Sequence, residues 1–244
     1  WILYKSSAGI KIKIHAANNA DFITKLVRAS SSQEFYTALT LDYPQLASAI
    51  TATEAEYFSL AGLSAIPSPL RESASIIKLA KNNSLPQLIQ PSDIRGIIHC
   101  HSNWSDGSNT VEEMAKAAID RGLEYLVMSD HSKSAFYAQG LSEEKIREQH
   151  HYIDELNIKL APFKIFKSIE SDILNDGNLD YSNNVLASFD LVIASVHSNL
   201  KMTEEKAMMR LLKAIENPYT TILGHMTGRL LLSRPGYPVH HDAI

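Results

Sequence analysis

From Asp93 onward the sequence predicts an α/β fold built on a parallel sheet, and three observations carry that expectation. Short apolar runs alternate with longer stretches of helical periodicity. Helix-capping signals stand where those stretches begin. A histidine or a carboxylate stands at or just after the end of every apolar run, so one chemistry recurs at five successive places.

Residues 94–99 read as a buried strand, and Thr110-Val111-Glu112-Glu113 is a capping box for a helix running to Gly122. The next strand is 123–128. A long helix over about 142–160 follows, with Glu143 and Glu144 in its first turn, where the helix dipole favours negative charge. Residues 163–169, 190–196 and 220–223 supply three further strands, with helices near 183–187 and 203–216 between them. Strands and helices alternating at this spacing mean repeated βα units, five of them visible.

The first ninety or so residues read differently. Gly9-Ile10-Lys11-Ile12-Lys13-Ile14-His15 alternates apolar with polar at period two, as a half-buried strand does, and a short helical pattern follows over 21–27. Thr51-Ala52-Thr53-Glu54 is expected to cap a helix that Gly62 stops. Pro67, Pro69, Pro86 and Pro91 then punctuate a segment whose regular structure is confined to a helix near 71–81. Segments 1–50, 51–92 and 93–244 are the expected divisions.

Composition narrows the function classes. Hydrophobic residues make up 45% and charged residues 20% of 244, an ordinary globular balance that excludes disordered and fibrous chains. Lys and Arg total 23 against 27 Asp and Glu, a net charge of -4, so contact with nucleic acid must be local. The single cysteine, Cys100, excludes an internal disulfide framework and fits a reducing, cytoplasmic setting. No apolar run approaches the roughly 20 residues of a membrane span, and Trp1-Ile2-Leu3-Tyr4-Lys5 is no signal peptide. Lacking an initiator Met, the chain is expected to be part of a longer protein.

The apolar runs end in His99-Cys100-His101, Asp130-His131, Glu170, His197 and His225. Parallel strands point their C-terminal ends to one face, where open sheets and barrels place their sites, so these side chains are expected to converge. Alternate residues share a side of a strand, so His99 and His101 can reach one metal ion while Cys100 points the other way and packs. His15, His150, His151, His240 and His241 lie outside the pattern and read as solvated or packing residues. Asp106, in a loop bordering the cluster, is a turn residue or a ligand. Arg229 and Arg234 follow the fifth strand; they are either surface charge or a phosphate grip, and Lys133 is a weaker candidate for that grip. Many histidines with few carboxylates suit Zn²⁺ or Mn²⁺, and several ions beside arginines favour phosphoester hydrolysis.

His99-Cys100-His101, Ser105-Asp106-Gly107, Ser129-Asp130-His131, Ile169-Glu170, Ser195-Val196-His197 and Gly224-His225 together resemble the PHP (polymerase and histidinol phosphatase) domain. His225-Met226-Thr227-Gly228-Arg229-Leu230-Leu231, with Ile66-Pro67-Ser68-Pro69-Leu70-Arg71-Glu72 upstream, is similar to the form of that domain in bacterial family X DNA polymerases. The resemblance implies a distorted (β/α)7 TIM-like barrel preceded by a small α+β remnant of a polymerase palm. The barrel would be incomplete, since the family supplies a later Asp and His to the metals and this chain stops at Ile244.

Two to three Zn or Mn ions are implied. His99 and His101 would hold the first, Glu170 would bridge it to a second held by His197 and His225, and Asp106 with His131 would hold a third. Glu170, His197 and His225 are then the expected catalytic residues, and Arg229, Arg234 and Lys133 the expected phosphate-binding ones. The implied activity is metal-dependent 3′-5′ exonuclease or 3′-end processing of DNA in repair. A histidinol-phosphate-type phosphatase and a metal-stabilised, inactive DNA-binding scaffold are the alternatives. The 9–16 segment is similar to the palm strand that carries a polymerase's third catalytic Asp, but Lys13 stands at that position, so polymerisation is not expected of this chain.

Overall fold

The computed structural model describes residues 2–6 and 9–244; Trp1, Ser7 and Ala8, which fall in the expected 1–50 segment, lie outside them. The chain divides into two compact units, Trp1–Leu88 and Ile89–Ile244.

In the first unit β1 (Ile2–Lys5) and β2 (Lys11–Ile14) form an antiparallel ribbon in the register Ile2↔Ile14 to Lys5↔Lys11. The alternation does make a strand, but every residue of β2 is exposed rather than half-buried. A two-stranded ribbon gives each side chain only its cross-strand neighbours to pack on. Four helices follow: α1 (Phe22–Ala29), α2 (Gln33–Asp42), α3 (Glu54–Ser59) and α4 (Ser75–Lys81). The cap of α3 is Thr53, two residues later than expected, because Thr53-Glu54-Ala55-Glu56 itself has the Thr-x-x-Glu spacing. Thr53 Oγ1 accepts from the Glu56 amide at 3.2 Å, and a Glu56 carboxylate oxygen accepts from the Ala52 amide at 2.9 Å.

Val27, Phe35, Leu39, Tyr57, Phe58 and Ile77 meet in one core, so the 51–88 stretch helps to build this unit rather than merely connecting. Arg71 is the polar pin of that core. At 1% exposure its guanidinium donates to the Ile66 carbonyl at 2.8 Å, to Ser30 Oγ at 2.8 Å and to Glu54 at 3.0 Å, and it lies over the Phe58 ring.

The second unit is an α/β fold whose five parallel strands form a curled half-barrel in the order β3 (Gly96–Cys100), β4 (Tyr125–Met128), β5 (Lys164–Asp172), β6 (Leu191–Ser195) and β7 (Thr220–Leu223). Between them run α5 (Val111–Ile119), α6 (Glu143–Lys159), α7 (Asn183–Leu186) and α8 (Glu204–Ile215). Thr110 caps α5 with the full reciprocal box, and Ser142 and Thr203 cap α6 and α8. Val111, Ala115 and Ala118 of α5, with Ile153 and Leu156 of α6, pack on Leu126, Met128 and Ile165. Ala207, Leu211 and Ala214 of α8 pack on Val192, Ala194 and Ile169. Each fully buried Leu or Ile in these layers contributes about 1.5–3 kcal/mol.

Two departures from the expected strands shape the site. β5 runs to Asp172, three residues beyond the expected end, so Glu170 lies inside the strand and shares a face with Asp172. The β3–β4 register shifts between Ile97 and Cys100, and His99 adopts φ +71°, a left-handed conformation rare for a side chain of this size. The simple alternation expected of His99-Cys100-His101 is therefore broken by a bulge.

Candidate metal centre

Glu170 is the hub. Its carboxylate, 1% exposed, receives His99 Nε2 at 2.9 Å, His225 Nε2 at 3.0 Å and His197 Nε2 at 3.3 Å on Oε1. On Oε2 it meets His131 Nδ1 at 3.1 Å and His101 Nε2 at 3.5 Å. All five histidines expected at strand ends thus converge on one carboxylate. Asp106 closes the far side, 3.7 Å from His131 Nε2 and 4.0 Å from His101 Nδ1.

The donor atoms fall into three groups in which every atom lies within 4.8 Å of the others: His99, Glu170 and His225; His101, Asp106 and His131; His131, Glu170 and His197. This division differs from the pairing that the resemblance implies, because His99 and His101 belong to separate groups. Both still reach the Glu170 carboxylate, His99 at Oε1 and His101 at Oε2. The His99 ring lies 5.4 Å from that of His101 and 5.9 Å from that of His225, and His101 stacks on His131 with ring centroids 4.3 Å apart.

Burial pushes the Glu170 carboxyl up, but hydrogen bonds from His197, His225 and His99 outweigh it and hold the group well below the usual carboxylate range. For His197 burial lowers the proton affinity, but Asp172 and Glu170 on its two nitrogens raise it to about 9. Burial lowers His101 and His131, against the pull of Glu170. Nδ1 of both His101 and His131 is buried and has no hydrogen-bond partner. Orphaned imidazole nitrogens facing carboxylate oxygens are the arrangement a bound cation satisfies, so these residues fit a metal. Five imidazoles with two carboxylates are not the all-oxygen cage of Ca²⁺.

The sequence reading missed two supports. Asp172 Oδ1 lies 2.5 Å from His197 Nδ1, and its other oxygen accepts from Ser134 Oγ at 3.0 Å. The signal was present as Glu170-Ser171-Asp172, two carboxylates at strand spacing. Asp130, read only as one more potential ligand, is fully buried and saturated. It accepts from the Ser102 amide at 2.8 Å, Ser102 Oγ at 2.7 Å, Ser105 Oγ at 2.5 Å and Gln149 Nε2 at 2.7 Å. It thereby ties down the loop that presents Asp106. Gly107 completes that turn, since a Cβ there would lie 2.2 Å from the His101 carbonyl oxygen.

Cys100 packs: its Sγ points to the Val127 carbonyl at 3.2 Å, and burial pushes the thiol up to about 12. His150 packs against Phe189, His151 pairs with Glu155 at 3.3 Å, and neither joins the cluster.

A cavity opens beside the cluster, lined by His197, His225, Tyr137, Arg229 and Arg234. The Arg234 guanidinium is spent on the Gly228 carbonyl, at 2.8 and 3.0 Å, and so shapes the loop that carries Arg229. Lys133 is turned elsewhere, its Nζ 5.0 Å from the Tyr181 ring centroid and 3.8 Å from Glu143. Among the described residues no helix is long and apolar enough to cross a membrane.

Residues 98–233 match the family model of the PHP domain. The chain is 40% identical over 192 residues to a DNA polymerase/3′-5′ exonuclease PolX of Bacillus subtilis (strain 168), covering 79% of this chain and 33% of that protein. It is 30% identical over 150 residues to a probable phosphatase of Thermoanaerobacter sp. (strain X514), covering 58% of this chain and 54% of that protein. A probable phosphatase of Syntrophotalea carbinolica is 28% identical over 153 residues, 60% of this chain and 58% of that protein. The chain thus spans about a third of the polymerase/exonuclease and somewhat over half of each phosphatase.

Proposed function

The chain belongs to the PHP domain family, and from that premise we propose that it is a metal-dependent phosphoesterase acting on the 3′ ends of DNA, a 3′-5′ exonuclease or 3′-end processing module used in repair. The observation that carries the reading is a buried carboxylate, Glu170, ringed by five histidines beside a cavity that Arg229 lines.

Zn or Mn ions, two to three in the complete domain, would supply charge neutralisation at the phosphate and an acidified water. His99, His101, Asp106, His131, Glu170, His197 and His225 would hold them. The chain's own residues do the remaining work. Glu170 stays ionised at neutral pH and fixes the spacing of the imidazoles around it. Asp172 holds His197 in one orientation by its Nδ1, leaving Nε2 for the centre. Arg229 offers a planar fork for the non-bridging phosphate oxygens, so the scissile group is oriented toward His197 and His225. Arg234 positions that fork by bracing Gly228.

DNA is favoured over a small substrate by the likeness to the polymerase/exonuclease, which covers 79% of this chain and extends well upstream of the site. On this reading residues 1–50 are a palm-like remnant in which Lys13 replaces a catalytic carboxylate, 51–92 lead from it, 93–244 form most of the PHP domain, and the protein works in the cytoplasm. The phosphatase-named relatives support a second reading, hydrolysis of a small phosphate monoester at the same centre. Incubation with Mn²⁺ and either a 3′-labelled oligonucleotide or histidinol phosphate separates the two. Release of labelled nucleotide is the expected result, and turnover of histidinol phosphate alone overturns the DNA assignment.

A further inference from the structure

One aromatic residue beside the centre, Tyr137, has no role in holding it. Phe136 and Tyr137 sit side by side in a short 3-10 turn (Phe136–Ala138) and are 86% and 70% exposed, although the turn's flanking Ala135 and Ala138 are completely buried. The fold has therefore placed its small residues inward and two large rings outward, the reverse of what burial favours.

The turn is firmly pinned. The Ser134 amide donates to Asp180 at 2.6 Å, Ser134 Oγ donates to Asp172 at 3.0 Å, and the Leu141 amide donates to the His131 carbonyl at 2.8 Å. Gly140 lies so close to Ser132 that a Cβ would fall 1.8 Å from its carbonyl oxygen. Asp172, one of these anchors, is the same carboxylate that orients His197, so the turn and the centre share a fixed frame. The Tyr137 ring centroid is 6.1 Å from that of His131, and Tyr137 lines the cavity that holds His197, His225 and Arg229.

We infer that Tyr137 forms a stacking shelf for the terminal nucleobase of a single nucleic-acid strand whose 3′-terminal phosphodiester lies at Arg229 and the histidine cluster. The inference rests on the DNA reading above and deepens it by naming the residue that engages the terminal base. An exposed aromatic ring on a pinned turn presents its π-face at little entropic cost, and stacking accepts any base, which suits an enzyme that removes nucleotides without regard to sequence. The neighbouring Arg229 provides the charge that a strand terminus needs and the shelf lacks.

The test is equilibrium binding, read by rapid mixing before turnover in Mn²⁺, of a single-stranded oligonucleotide carrying 2-aminopurine at its 3′ end. A matching strand that ends in an abasic tetrahydrofuran residue is the comparison. The shelf is expected to quench 2-aminopurine and to favour the base-bearing strand, and Tyr137→Ala should weaken that strand roughly tenfold without changing the affinity for the abasic one. Tyr137→Phe should retain the preference. Equal affinity of the unsubstituted protein for both strands overturns the shelf while leaving the DNA reading intact. Binding of neither strand, with a phosphate monoester still hydrolysed, overturns the DNA reading and the shelf with it.

Discussion

Asp172 Oδ1 stands 2.5 Å from His197 Nδ1, and the other nitrogen of the same ring faces Glu170 at 3.3 Å. A carboxylate behind a ligating imidazole fixes its tautomer and raises its basicity, and losing such a partner costs roughly 10–100-fold in metal affinity. Asp172→Asn should therefore weaken Mn²⁺ or Zn²⁺ binding by about that factor while the circular dichroism stays unchanged. Calorimetric titration measures it; unchanged affinity would show that the pair is incidental.

Asp130 makes a separate prediction because it accepts four hydrogen bonds while fully buried. Asp130→Ala strands the donors of Ser102, Ser105 and Gln149 and should cost about 2–4 kcal/mol. Hydrogen exchange should accelerate over 102–107, where the Gly107 amide donates to the Ser102 carbonyl. If exchange there is no faster than in the unsubstituted protein, Asp130 is not what holds the Asp106 loop.

These two supports also show where sequence reading ends. Strand-helix alternation and caps such as Thr110 and Ser142 follow from local pattern, so the parallel sheet was legible, although β5 runs three residues past its expected end. So were the five histidines, because parallel strands bring their C-terminal ends together whatever the detailed packing. The bulge at His99 was not, since nothing local marks a histidine for φ +71°. Asp172 was visible as a second carboxylate two residues after Glu170, but its task depends on where His197 arrives from another strand. The cap at Thr53 was missed, because the expected box is Thr51-Ala52-Thr53-Glu54 and the contacts that set the cap are those of Glu56.

Arg71 offers a test in the first unit. Its guanidinium joins the Ile66 carbonyl, Ser30 and Glu54 from a fully enclosed position, so Arg71→Ala should destabilise that unit by about 2–3 kcal/mol. Arg71→Lys, which cannot make the fork, should recover little of the loss. Urea unfolding of both variants reads this directly, and a wild-type midpoint in the alanine variant would contradict it.

A pH arm belongs to His150, away from the centre. Its ring packs edge-on against Phe189, 4.8 Å between centroids, and its buried Nε2 has no partner. Burial and Lys167 push it down from 6.5 to about 4, against Asp154 and Asp190. The unfolded chain therefore takes up this proton first. Stability is whole above about 6.5, is lost as pH falls toward about 4, and the loss is on the order of 1–2 kcal/mol after solvent screening of a partly exposed ring. His150→Phe should flatten that arm in melting temperatures compared at pH 7.5 and 5; an undiminished arm would place its origin elsewhere.

The role assigned to Glu170 is tested most directly by the time course of 3′-labelled nucleotide release from an oligonucleotide in Mn²⁺, comparing the protein with its Glu170→Gln variant. Glu170→Gln keeps the size of the side chain and removes the charge that five histidines share. Release by the unsubstituted protein, lowered at least about 100-fold in the variant, is the expected result. Equal rates for the two proteins would contradict a centre built on Glu170.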